Sequence, residues 1–194
     1  MIVTPFEPDP PYPLRLQSQA DSDGLTRSPG LHLSSILKDM RNIIAPRESM
    51  SDEELAFYGA GGFLFERVYD MAHRDAVLSG DLIRPGEFER DGIIGSPDAL
   101  DFAHSRVVEL KMRWMAAWKF EQLEKYFFFE LLQIKCYLAM IGWTDAELTV
   151  FFVAGNWKPP LPCIKSVLLE FTEREIEEPW SGVVSHARKK GWLQ

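Results

Sequence analysis

Cysteine is scarce in this chain. Only Cys136 and Cys163 occur among 194 residues, too few for a four-cysteine zinc site or an iron–sulfur cluster. Two lone thiols are read as reduced and buried, as expected of a cytoplasmic protein. Long apolar runs are missing as well. None reaches the ~18 residues that would mark a membrane-spanning helix. The first residues lack a basic segment followed by an apolar one, so no signal peptide is expected. Positive charge is in deficit, with 21 Lys and Arg against 29 Asp and Glu, a net charge of -8 and a pI near 5.1. This excludes a general nucleic-acid coat protein, which would be basic. It leaves open an enzyme whose acids gather at one site and whose basic surface is local. The remainder is ordinary for a globular protein, at 46% apolar and 26% charged residues. The length suits one domain with a substantial core.

Six of the thirteen prolines fall at positions 5, 8, 10, 11, 13 and 29. Residues 1–30 are therefore expected to be an extended arm and residues 31–194 a single folded domain. Ser34 is the expected N-cap of a helix carrying Ile36, Leu37 and Met40 and ending near Ala45-Pro46. Ser51 and Glu54 form a capping box that opens a helix running toward Leu78. Glycines at 59, 61 and 62 weaken this helix. They are no phosphate loop, because Leu64 stands where a third glycine is required, and they predict a kink or a close helix–sheet contact. A short strand is expected over Glu87–Arg90, then two more short strands over Gly92–Leu100 and Arg106–Met112 joined by a turn at Asp101–Ser105. Lys119–Ile141 reads as one helix, apolar nearly all round and so buried on most sides. Strands over Glu147–Ala154 and Ile164–Phe171 flank a turn at Gly155–Pro162. Thr172 and Glu175 form a second capping box. Pro179 predicts a kink or a restart near Trp180 or Ser181. Arg188-Lys189-Lys190 is a basic cluster suited to the final helix end. The expected fold is α/β (or α+β), a mixed sheet of about five strands flanked by helices.

Chemistry concentrates at Asp91–Met112. Strand side chains alternate, so Glu109 and Lys111 share a face and Leu110 points away. If the two strands pair, Asp98 comes beside Glu109. Two carboxylates and an ammonium on one patch can hold a divalent cation and polarise a water. Glu66 lies in the apolar run Phe63-Leu64-Phe65 and needs a partner there. Arg67 and Arg74 are the nearest candidates for an ordinary ion pair, and His73 is a competing site residue. Gln133 and Tyr137, four residues apart, share a helix face.

Pro97-Asp98 followed by Glu109-Leu110-Lys111 resembles the motif of the PD-(D/E)XK nuclease superfamily. Gly95 with Asp98, then Glu-X-Lys, then Gln133-X-X-X-Tyr137 is similar to the RecB-like branch, including phage lambda-type exonucleases, over roughly residues 30–171. The resemblance implies a restriction-endonuclease-like core and Mg²⁺- or Mn²⁺-dependent hydrolysis of DNA phosphodiesters in phage-type recombination, replication or repair. It implies that Asp98, Glu109 and the Leu110 carbonyl hold the metal, with Glu66 direct or through water. Lys111 would act on the attacking water and the developing charge, Gln133 would orient the water or phosphate, and Tyr137 would line or buttress the strand path. Ser34 and Ser35, at a helix start suited to a terminal 5′ phosphate, and the basic Arg113 and Lys135 are the residues expected to meet DNA. Expected partners are DNA, a single-strand-annealing or recombination protein, and further copies of the chain, with no membrane. Two other readings stand beside this one, a structure-selective endonuclease and a catalytically silent nuclease-like assembly module.

Overall fold

The computed structural model describes residues 28–44, 51–154 and 162–194. The arm up to residue 27, the expected helix end at Ala45-Pro46 and the turn at 155–161 lie outside the described residues. In chain order the elements are β1 (Leu31–His32), α1 (Leu33–Ile44), α2 (Asp52–Ala72), α3 (Arg74–Ser79), β2 (Leu82–Ile83), β3 (Phe88–Arg90), β4 (Ile93–Gly95) and β5 (Ala99–Asp101). They continue with β6 (Arg106–Arg113), a 3₁₀ turn (Ala117–Glu121), α4 (Leu123–Tyr126), α5 (Phe128–Ile141), β7 (Asp145–Phe152), β8 (Cys163–Glu170) and α6 (Glu173–Lys189).

The principal sheet has five strands in the order β2-β5-β6-β7-β8. All neighbours are antiparallel except β6 and β7, which run parallel over eight residue pairs from Arg106↔Asp145 to Arg113↔Phe152. A parallel pair needs a crossover connection, and α5 supplies it. Alternation along β6 splits the core. Val107 packs with α1, α5 and α6, and Val108 and Leu110 pack with Phe65 and Tyr69 of α2. Both capping boxes form, Ser51 with Glu54 and Thr172 with Glu175.

Several expectations are corrected. Gly92–Leu100 is not one strand. Its first part, β4, belongs to a separate sheet of order β1-β4-β3, while β5 joins the principal sheet. Pro97 is buried at the break and has no N–H to continue a ladder. Helix α1 starts at Leu33, directly after β1 pairs with β4, so Ser34 lies inside the first turn and is no cap. The helix after Ser51 stops at Ala72, where His73 leaves helical geometry and donates its Nδ1–H to the Tyr69 carbonyl at 3.0 Å. The expected 119–141 helix is three pieces, interrupted at Gln122 and Phe127. Phe127 turns fully inward against Phe120 and Phe152, at centroid distances of 5.7 and 6.3 Å, and that packing overrides helix continuity. Conversely, α6 passes through Pro179 unbroken. Burial of Ile176, Trp180, Val183 and Val184 on either side outweighs the cost of about 3 kcal/mol for an interior proline.

Two glycines show why the chain needs them. A Cβ on Gly61 would strike the Met112 side chain, so α2 lies close on β6 as expected. A Cβ on Gly95 would come within 2.5 Å of the Met140 sulfur and 3.0 Å of the Tyr137 ring. Gly62 has nothing within 4 Å. Gly95→Ala is expected to lose about 1–3 kcal/mol by overpacking, and Gly62→Ala to gain up to about 1 kcal/mol from helix propensity. Equilibrium denaturation of both variants tests the contrast, and a stable Gly95→Ala protein would contradict it.

Candidate active site

A cleft of about 930 Å³ opens at the carboxyl end of β6, with Glu66, Asp98, Leu110 and Lys111 among its lining residues. Position follows topology. In α/β sheets, the carboxyl ends of strands beside a parallel crossover are where crevices form. The β5–β6 hairpin pairs Ala99 with Val108, so Asp98 meets the next stretch of β6. Its Oδ2 accepts the Leu110 N–H at 2.7 Å. Lys111 Nζ lies 3.9 Å from the same oxygen and donates a short hydrogen bond to Glu109 Oε1. Asp98, Glu109 and Lys111 thus converge.

Glu109 is the most unusual group in the cluster. It is 0% exposed, and its Oε2 has no hydrogen-bond partner. A buried, unpaired carboxylate oxygen is costly. Burial raises the Glu109 pKa, the Asp98 charge adds to this, and Lys111 only partly offsets it. Burial disfavours the Lys111 charge, but the Glu109 and Asp98 carboxylates outweigh it and raise the Lys111 pKa. The unsatisfied Oε2 is the observation that fits a bound cation. The donors on offer are oxygens, which suit a hard ion such as Mg²⁺. Among the described residues no three acidic, His or Cys side chains gather closely enough to close a metal shell. A site of one or two carboxylates completed by water and substrate is the arrangement Mg²⁺ ordinarily takes.

Glu66 approaches from α2. Its pKa is pushed up to about 7, by burial first and the Asp98 charge second, against the pull of Arg84 and Lys111. Its partner is neither Arg67 nor Arg74 but Arg84. The guanidinium donates to Glu66 Oε2 at 3.1 Å, the Glu66 carbonyl at 3.1 Å and both Asp70 oxygens at 3.0 and 3.3 Å. It also makes a short bond to the Asp98 carbonyl. Arg84 therefore ties the acidic face of α2 to the strand that presents Asp98. Nothing local in Leu82-Ile83-Arg84-Pro85 signals this role. It arises from pairing of Ile83 with Leu100, which carries Arg84 alongside Asp98.

Gln133 donates to the Tyr137 hydroxyl at 2.8 Å, and the Tyr137 ring packs beneath Gly95. Arg113 lines the cleft and makes a short ion pair with Glu130, which Arg41 also approaches at 3.6 Å. Glu130 is 6% exposed and has a lowered pKa, because the two guanidiniums overcome the effect of burial. A glutamate inside Phe-Phe-Phe-Glu-Leu-Leu was the sequence signal for this pair. Lys135 instead lies over the Phe171 ring, 4.9 Å from its centroid, and is not brought to the cleft. Nor are Ser34 and Ser35. The end of α1 that reaches the cleft carries Arg41 and Ile44, and Ser35 lies six residues, about 9 Å, back along the axis. His73 is held locally by Tyr69.

Comparison with protein-family models and with curated proteins finds no match. Solved structures do resemble this one. A phage-related exonuclease from Haemophilus somnus 129PT aligns with a TM-score of 0.54 and 15% identity, over 80% of this chain and 78% of that one. The protein SSO0001 gives 0.55 and 12%, over 93% and 85%. LHK-Exo in complex with dAMP gives 0.51 and 14%, over 82% and 87%. LHK-Exo is an alkaline exonuclease from Laribacter hongkongensis. The chain therefore shares the fold of these solved structures.

The raised Glu66 pKa has a sign that can be checked. A carboxyl near 4.5 when unfolded and near 7 when folded favours folding in its protonated form, and the burden of its charge appears as pH rises through 7. Glu66→Gln is expected to raise Tm above pH 7 in EDTA, with the gain shrinking toward pH 5. Melting curves from pH 5 to 9 that show a constant difference would contradict the assignment.

Proposed function

We propose that the protein is a divalent-metal-dependent deoxyribonuclease, and specifically an exonuclease that hydrolyses phosphodiesters at the ends of linear DNA. One observation carries the reading: the buried Glu109 carboxylate, with an unpartnered oxygen, meets Asp98 and Lys111 at the lining of an open cleft. The exonuclease fold of its structural neighbours supports it. A role in phage-type recombination, replication or repair is the setting in which such an enzyme would act.

Asp98 and Glu109 are the groups placed to hold Mg²⁺ or Mn²⁺, with the Leu110 carbonyl between Glu109 and Lys111 as a further oxygen donor. Such an ion, when bound, polarises phosphate oxygens and lowers the pKa of a coordinated water. Lys111 stands against both carboxylates and carries a positive charge into the cleft. There it orients the attacking water and stabilises the negative charge that grows on phosphorus-bound oxygens. Its raised pKa keeps it an ammonium, so it serves as a fixed charge and hydrogen-bond donor. Arg84 positions Glu66 and the Asp98 backbone. Gln133 and Tyr137 buttress the strand turn that delivers Asp98, through the Tyr137–Gly95 contact. Arg113, oriented by Glu130, offers a cation to a backbone phosphate farther along the cleft.

Asp98→Asn and Glu109→Gln are each expected to abolish Mg²⁺-dependent degradation of linear DNA while the protein stays folded. Covalently closed circular DNA is expected to survive the wild-type enzyme, and its cutting would favour the endonuclease reading. Near-wild-type turnover in either variant would overturn the site.

Lys111→Ala is expected to lose about 10²–10³ in rate and to keep its affinity for Mg²⁺. Calorimetric titration of the variant checks this division, and loss of metal binding together with rate would contradict it.

A further inference from the structure

One feature of the cleft lies outside the acid–lysine cluster. Phe57 and Tyr58 of α2 and Trp114, just beyond β6, form a three-ring group with centroid separations of 6.0, 6.0 and 5.4 Å. The rings remain 51%, 44% and 49% exposed. Tyr58 and Trp114 line the same cleft as Asp98 and Lys111. The two pairs that Tyr58 makes are edge-to-face, with interplanar angles of 77° and 88°, and about half of each ring's surface stays open to solvent. A contiguous group of exposed large rings marks a binding surface. Their place in the cleft identifies the occupant. Any phosphodiester held at Lys111 carries a base beside each phosphate, and aromatic side chains hold bases by stacking. Trp114 lies three residues from Lys111, about 10 Å on an extended strand. That distance equals about three nucleotides of stacked strand at ~3.4 Å each. In a duplex the base faces are covered by neighbouring pairs, so an aromatic wall favours only bases that have left the stack.

We propose that Phe57, Tyr58 and Trp114 are a base-stacking wall for an unpaired DNA strand, which makes single-stranded or frayed ends the preferred substrate of the cleft. This rests on the nuclease reading of the adjoining cluster. The cleft also supplies cations for the backbone of that strand, Arg113 and Lys125 among its lining residues.

The test uses the full chain in EDTA, where binding is read without cleavage. A single-stranded oligonucleotide carrying 2-aminopurine is titrated with wild type, Trp114→Ala, Tyr58→Ala and Trp114→Phe, beside a blunt duplex of the same sequence. Wild type is expected to quench 2-aminopurine in the single strand. Trp114→Ala and Tyr58→Ala are expected to weaken single-strand binding about ten-fold and to lose much of the quenching, with duplex affinity changed less than about two-fold. Trp114→Phe keeps a π face and is expected to retain most of both signals, which separates stacking from a structural effect. Equal losses on both DNAs, or single-strand binding untouched by either alanine, would overturn the proposal, and a protein partner or a second copy would then account for the wall. Failure of the wild type to cleave any DNA with Mg²⁺ would instead remove the nuclease reading and leave the stacking measurement to stand or fall by itself.

Discussion

The parallel pairing of β6 with β7 is the constraint on which most of the molecule depends. Two parallel neighbours cannot be joined by a tight turn, so the chain must leave the end of β6, cross one face of the sheet and return. The 3₁₀ turn, α4 and α5 make that journey. Helix α5 is thereby laid under the strand turn that presents Asp98, and its side chains reach that turn from below. The cleft opens at the exit from β6. The edge strands and α6 complete the core around this crossover and contribute little to the cleft itself.

Charge in the cleft is arranged by interleaving. Arg84 stands beside Glu66 and Asp70, Lys111 beside Glu109 and Asp98, and Arg113 with Arg41 beside Glu130. A single row of carboxylates there would repel itself strongly, because attraction and repulsion both gain strength away from water. The pairing is nonetheless incomplete at one atom, Glu109 Oε2. A fold that pairs its buried Glu130 with two guanidiniums and leaves Glu109 Oε2 short of a partner keeps uncompensated negative charge beside the cleft.

Much of this was legible in the chain, and what was hidden has a common cause. Capping boxes at Ser51 and Thr172 are written in residues three apart, and both form. The Glu109/Lys111 alternation and the Gln133–Tyr137 face are likewise local periodicities, and both hold. The division of Gly92–Leu100 between two sheets is signalled by Pro97, which the expected single strand runs through. The breaks at Gln122 and Phe127 have no proline or glycine behind them. They come from tertiary packing of Phe127, which local propensity does not encode. Pro179 shows the opposite case, a strong local breaker overruled by core contacts. Arg84 was invisible because its place depends on the pairing of two very short strands. Glu130 could have been found by the argument applied to Glu66, since a carboxylate in an apolar helix needs a cation.

Cys136 lies on α5 directly before Tyr137 and is fully buried, and burial alone pushes its thiol up to about 12. The reactive thiolate is therefore almost absent in the closed protein. A thiol reagent reaches this sulfur only when the packing around the crossover helix opens. Cys136 is thus a native clock for the opening of the layer that supports Asp98. Its labelling rate, set against that of the half-buried Cys163 on β8, separates loosening beneath the cleft from fraying at the far edge of the sheet.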